Sequence, residues 1–97
     1  MSVTVLLEAP VKADEISNMK SYLAEIFPET RAYEGCQGID VYFNSENESN
    51  MVLIEHWDSR PQHEKYLGWR TETGVMEKLG GMLAGPPNIR YFERVDA

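Results

Sequence analysis

Four short apolar strands and two helical regions, the second in two pieces, in the order β-α-β-β-α-β, constrain this chain more than any other feature. Val3 to Leu7 is β-branched and apolar, and Glu8-Ala9-Pro10 breaks it. Ile16, Met19, Leu23 and Ile26 then recur at helical spacing, with Tyr22 and Phe27 widening the stripe. Asp14-Glu15 predicts an N-cap-like start with acidic charge in the first turn. Pro28 lacks an N–H and predicts a bend or an end there, with Thr30-Arg31 continuing briefly at most. Gly35-Cys36-Gln37-Gly38 reads as a loop, Ile39 to Phe43 as a strand, and the polar run Asn44 to Asn50 as a hairpin connection. Met51 to Trp57 is the next strand and Gln62 to Trp69 the next helix. Val75, Met76, Leu79, Met82 and Leu83 form a further helical piece, loosened by Gly80-Gly81 and stopped by Gly85-Pro86-Pro87. Ile89, Tyr91, Phe92 and Val95 predict a closing strand.

That order is the split βαβ, or ferredoxin-like, arrangement of α+β proteins, with one four-stranded antiparallel sheet and its helices on one face. The other face stays bare. Apolar residues on both faces of such short strands imply a cover, most simply a second copy of the chain. With 97 residues and 42% apolar content, residues 1–97 make one domain, small enough for a dimer partner to add usefully to its stability.

A formal charge of -7 excludes the basic footprint that nucleic acid or an anionic membrane would need. No apolar run is long enough to span a bilayer. The single cysteine, Cys36, suits a reducing compartment, and the N-terminus shows no basic leader or small-residue cleavage site. The expectation is a cytoplasmic protein.

The strand Met51 to Trp57 carries the most informative chemistry. Residues two apart share a face, so Leu53, Glu55 and Trp57 point one way while Val52, Ile54 and His56 point the other. A carboxylate between a leucine and a tryptophan is out of place on a plain core strand. The plain reading of Glu55 is a structural acid paired with an arginine or lysine; as a base it would need a pKa raised by its apolar face. Trp57 reads as core packing and pocket wall at once. His63, among Gln62, Glu64 and Lys65, reads by default as an exposed helix residue. His56 should face away from Glu55 and has no assigned chemistry, and nothing nearby in sequence activates Cys36.

Glu34-Gly35-Cys36 after the first helix, Val52-Leu53-Ile54-Glu55-His56-Trp57-Asp58-Ser59, and the closing Gly85-Pro86-Pro87-Asn88-Ile89-Arg90-Tyr91 together resemble the antibiotic biosynthesis monooxygenase domain, a branch of the dimeric α+β barrel superfamily. The resemblance covers nearly the whole chain. It implies a homodimer whose sheets face each other, with a ligand cavity in each subunit between sheet and helices. It also implies oxygenation of quinol- or anthrone-like aromatics by molecular oxygen without metal or flavin. Family members often carry histidine where this chain has Tyr66, and His63 lies three positions earlier on roughly the same helical face. The related heme-degrading enzymes use an asparagine on the first strand, a tryptophan and an axial histidine. Val3 to Glu8 has no asparagine and Tyr66 stands near the ligand position, which disfavours heme degradation.

Oxygenation without a cofactor needs a dry apolar pocket, a hydrogen-bond partner for a developing oxyanion, and a base. Leu53, Trp57, Trp69, Tyr22, Met76, Leu79 and Met82 are the candidate walls. Tyr66, His63 and Glu55 are the candidate catalytic groups. No phosphate-binding loop or cysteine–histidine metal cluster is visible, so no cofactor site is expected. Two other functions fit the same residues: a non-catalytic dimer that binds a small molecule, and an isomerase or lyase using Glu55 or His63 for proton transfer.

Overall fold

The computed structural model describes residues 2–97. Its elements are β1 (Val3–Pro10), a short 3-10 turn (Ala13–Glu15), α1 (Ile16–Ala32), β2 (Cys36–Phe43), β3 (Asn50–Trp57), α2 (Arg60–Glu72), α3 (Val75–Met82) and β4 (Asn88–Phe92). The strands form one antiparallel sheet in the order β2-β3-β1-β4, the α+β ferredoxin-like fold expected from the order of elements.

Alternation decides which side chains meet the helices. Val3, Val5, Leu7 and Ala9 of β1, with Met51, Leu53, Glu55 and Trp57 of β3, are buried on the covered face. Met19, Leu23, Ile26 and Phe27 of α1 pack on Leu7, Ile39, Met51 and Leu53 to make the main core. The register sets Ile39, Glu55, Val5 and Tyr91 side by side across the sheet. This row brings β4 into reach of the carboxylate.

The opposite face carries Leu6, Val52 and Ile54, all half-buried, with Tyr42 and Phe92 exposed beside them. His56 sits there too, away from Glu55 as its strand parity requires, and its Nδ1 lies 3.1 Å from Thr4 Oγ1. Among the described residues, no element covers this face. Among the described residues, no helix is long and apolar enough to cross a membrane.

Several local expectations are corrected. α1 runs through Pro28 to Ala32 because Phe27 and Thr30 are buried on either side of it. Burying a phenylalanine contributes about 2–3 kcal/mol, which offsets the roughly 3 kcal/mol a helix-interior proline costs. Asp14 and Glu15 form a 3-10 turn ahead of α1, and no side chain caps the helix. Cys36 already belongs to β2, with a register shift between Cys36 and Gly38 where a loop was expected. α2 exceeds Gln62–Trp69 at both ends. Ser59 Oγ accepts from the Gln62 N–H at its start, and the buried Arg70 holds its last turn past Gly68. The Gly80-Gly81 end of α3 is tied down, since Lys12 Nζ donates to Gly81 O at 2.9 Å and the Ala84 N–H to Pro10 O at 2.9 Å. Val95 lies outside β4 and is 80% exposed. β1 begins at Val3 and its pairing with β4 reaches only Phe92, so Val95 has no strand to join.

Candidate active site

β3 presents Glu55 and Trp57 to the covered face, and α2 lays His63, Tyr66 and Arg70, one turn apart, over them. Glu55 Oε1 accepts from Trp57 Nε1 at 3.0 Å. His63 Nε2 is 3.6 Å from the same oxygen, beyond hydrogen-bond reach, and is therefore a buried nitrogen without a partner. On its other side His63 Nδ1 meets the Tyr91 hydroxyl at 2.8 Å.

Burial sets the titration of this pair. Desolvation pushes Glu55 up to about 7, with the Trp57 N–H opposing it. Desolvation also lowers His63 to about 4, with Glu64 raising it and Arg60 lowering it further by smaller amounts. At neutral pH the imidazole is uncharged and the carboxyl is poised to gain or lose a proton, as a general base should be. Two expectations are corrected here. Glu55 accepts from an indole and has an unbonded imidazole beside it, with no arginine or lysine bonded to it, and His63 is 1% exposed because α2 turns that face onto the sheet.

A second polar cluster ties α1 to α2. Tyr66 Oη lies 2.6 Å from Thr30 Oγ1 and accepts from Arg70 Nε at 3.0 Å. Arg70 Nη2 donates to Ile26 O at 2.7 Å and to Thr30 Oγ1 at 3.0 Å. The guanidinium is 2% exposed and lies over the Trp69 ring, 4.5 Å from its centroid. Burial raises the Tyr66 phenol, against the opposing hydrogen bonds from Thr30 and Arg70, so it stays protonated at neutral pH. Its hydroxyl is engaged by α1 and Arg70. Tyr33 fills the space beside them, stacked on Trp69 at 5.2 Å and edge-on to Tyr66 at 5.3 Å.

Between the sheet and α3 lies an apolar cavity of about 270 Å³, walled in part by Met19, Met51, Leu53, Met76 and Leu79. A narrow inner end of about 40 Å³ shares Leu53, Met76 and Leu79 and is bounded by Glu55, Tyr66 and Arg70. Leu53, Met76 and Leu79 line both the cavity and this narrow end, while Glu55 and Tyr66 border the narrow end alone. His63 stands behind Glu55, off the wall. Trp57 is fully buried between Tyr33, His63 and Tyr66, and neither it nor Trp69 borders the cavity. Tyr22 and Met82 face an open groove between α1 and α3.

Sequence reasoning missed Arg70, Thr30 and Tyr91. Arg70 was findable, since it follows His63 and Tyr66 at positions that share a helix face. Thr30 and Tyr91 were not, because their partners lie 36 and 28 residues away in sequence. Among the described residues, no three His, Cys, Asp or Glu side chains converge as metal ligands would.

Comparison with known proteins places the fold. Similar solved structures include Rv0793 from Mycobacterium tuberculosis, 23% identical, covering 100% of this chain and 98% of that one with a TM-score of 0.85. A conserved protein from Methanosarcina mazei Go1 is 18% identical over 98% of this chain and 94% of its own, with a TM-score of 0.88. An antibiotic biosynthesis monooxygenase is 16% identical over 97% of this chain and 99% of its own, with a TM-score of 0.86. At these identities the likeness shows the fold. No functionally curated protein matches the chain significantly. The antibiotic biosynthesis monooxygenase family model matches residues 2–70, from β1 to the buried Arg70 and including Glu55, His63 and Tyr66. The match spans most of the chain, and the protein belongs to the antibiotic biosynthesis monooxygenase family.

Proposed function

We propose that this protein is a homodimeric oxygenase that oxidises a small quinol-like or other phenolic aromatic with molecular oxygen, using Glu55 as its proton acceptor. The observation that carries the reading is a carboxyl with a pKa near 7 at the polar inner end of an otherwise apolar cavity. The family match supports a monooxygenase-type role. The substrate supplies the electrons. Glu55 takes the phenolic proton, and the anion passes one electron to oxygen. Substrate radical and superoxide then join through a C–O bond at a ring carbon conjugated with the phenol oxygen. Protonation from Glu55 gives a hydroperoxide. Loss of that carbon's hydrogen as a proton, with cleavage of the O–O bond, leaves a quinone and one water. Both oxygen atoms and all four electrons are then accounted for.

Cavity size narrows the substrate. About 270 Å³ falls just below the usual range for ligand pockets, roughly 300–1,000 Å³, which suits one or two rings better than an extended polycycle. Leu6, Val52 and Ile54, with Phe92 and Tyr42 around them, support pairing of two chains through the bare face. A reducing compartment, in which Cys36 stays a thiol, completes the reading. Oxygen uptake with a panel of hydroquinones, naphthohydroquinones and anthrones tests it. Turnover that Glu55→Gln reduces by roughly a hundredfold is expected, and an intact dimer inert across the panel overturns the oxygenase reading.

A proton-transfer enzyme without oxygen chemistry is the second reading, favoured by the adjacency of Glu55 and His63. Solvent deuterium entering recovered substrate with no oxygen uptake would select it, and tight binding with neither would leave a binding protein.

A further inference from the structure

A phenol seated in the cavity shuts off that side of Glu55 from water, so a carboxyl that is protonated when the phenol arrives must lose its proton by another route before it can act as a base. We propose that Glu55, His63 and Tyr91 form a proton relay that links the inner end of the cavity to solvent through a separate cleft at the β4 edge of the sheet. The inference rests on Glu55 being the group that takes protons from the cavity.

Three observations carry it. His63 is 1% exposed and bridges the two other groups, 3.6 Å from Glu55 Oε1 through Nε2 and 2.8 Å from the Tyr91 hydroxyl through Nδ1. A histidine kept only for packing would find a partner for both nitrogens, since a buried unpaired one costs free energy; here Nε2 has none and faces the carboxyl oxygen. Tyr91 reaches the surface. It borders a cleft of about 320 Å³ with Ser59, Arg60 and Glu93, and the Arg60 guanidinium lies 4.2 Å from its ring centroid. This cleft shares no lining residue with the apolar cavity.

The proton count balances without a charged imidazole. His63 begins with its proton on Nδ1, donated to Tyr91 Oη, and with Nε2 bare. A proton held by Glu55 before the reaction comes to Nε2 by a half turn of the carboxyl. The proton passes to Nε2 while Nδ1 releases its own to Tyr91, whose hydroxyl proton leaves to water in the cleft. One proton enters and one leaves. Imidazole and phenol both end neutral, which suits a buried histidine that resists protonation. The charged and titratable groups around the path are Tyr66 and Arg70 from α2 and Cys36 from β2 near Glu55, Arg60 and Glu64 from α2 near His63 and Tyr91, and Glu93 after β4 at the mouth of the cleft.

The test needs no substrate, so its failure is distinct from failure of the oxygenase reading; it is run in a Leu79→Trp background, whose indole fills the cavity and closes that route to water. A rapid pH jump is followed by the infrared carbonyl band of protonated Glu55, with Glu55→Gln as the blank. Tyr91→Phe keeps the ring and removes only the hydroxyl; it should slow the relaxation by roughly tenfold or more, with circular dichroism and melting showing the fold intact. Arg60→Ala loosens the same cleft but keeps the hydroxyl, and should relax at the parent rate. Equal slowing by both variants, or a parent rate in Tyr91→Phe, overturns the relay.

Discussion

His63 Nε2 faces Glu55 Oε1 across 3.6 Å, with the two side chains 1% and 4% exposed and neither paired with a charged residue. Their titrations are displaced in opposite directions by the same cause. Burial raises the acid to about 7 and lowers the base to about 4, so between those values both are neutral. In most exposed pairs the reverse order gives an ion pair at pH 5–6.

Stability against pH should therefore show compensation. Glu55 has a folded pKa above its unfolded one, so its contribution is lost as pH rises from about 4.5 to about 7. His63 has a folded pKa below its unfolded one, so its contribution is lost as pH falls from about 6.5 to about 4. The two slopes cancel, and the parent protein should be nearly flat between pH 4.5 and 6.5. Glu55→Gln should gain about 3 kcal/mol as pH rises through that window, and His63→Gln should lose about 3 kcal/mol. Urea unfolding at several pH values measures both, and parallel curves for all three proteins would refute the account.

Arg70 should be worth more to the fold than any surface charge. It carries hydrogen bonds to Ile26 O, Thr30 Oγ1 and Tyr66 Oη, while its nearest acid, the exposed Glu29, is 3.7 Å away. Arg70→Met is expected to cost about 3 kcal/mol or more, and Thr30→Val about 1 kcal/mol. Thermal melting ranks the two; Lys20→Met, which removes an exposed ion pair with Glu48, should cost less than about 1 kcal/mol.

Filling the cavity should act on binding. Leu79→Trp puts an indole into the 270 Å³ space beside Met76 and Leu53, away from His63 and Tyr91. The expected outcome is a loss of affinity for an aromatic ligand of roughly tenfold or more, by calorimetry. Undiminished affinity would mean that the ligand sits elsewhere.

The bare face should fail at its centre. Ile54 and Leu6 are cross-strand partners there, flanked by Asp40 and Arg90. Ile54→Glu would place a charge in the proposed dimer contact, and sedimentation velocity should show a monomer where the parent is a dimer. The covered face and its cavity should be unaffected.

Much of this fold was legible because its signals are local. A period of two on Met51–Trp57 settles that Leu53, Glu55 and Trp57 share a face, whatever surrounds the strand. The helical stripe of Ile16, Met19, Leu23 and Ile26 likewise specifies α1. Local rules misled where tertiary burial outweighed them. Pro28 was carried through by the packing of Phe27 and Thr30, and Gly68 by the anchoring of Arg70.

Sequence by itself determined the order of elements, the parity of each strand and the presence of a carboxylate on an apolar face, because each depends only on residues a few positions apart. Only the tertiary structure decided what that carboxylate meets. The helix α2 folds His63 onto it and β4 delivers Tyr91 from the far end of the chain. Desolvation is a property of everything packed around a group, so the reversed titration of Glu55 and His63 exists only once those elements have closed over them.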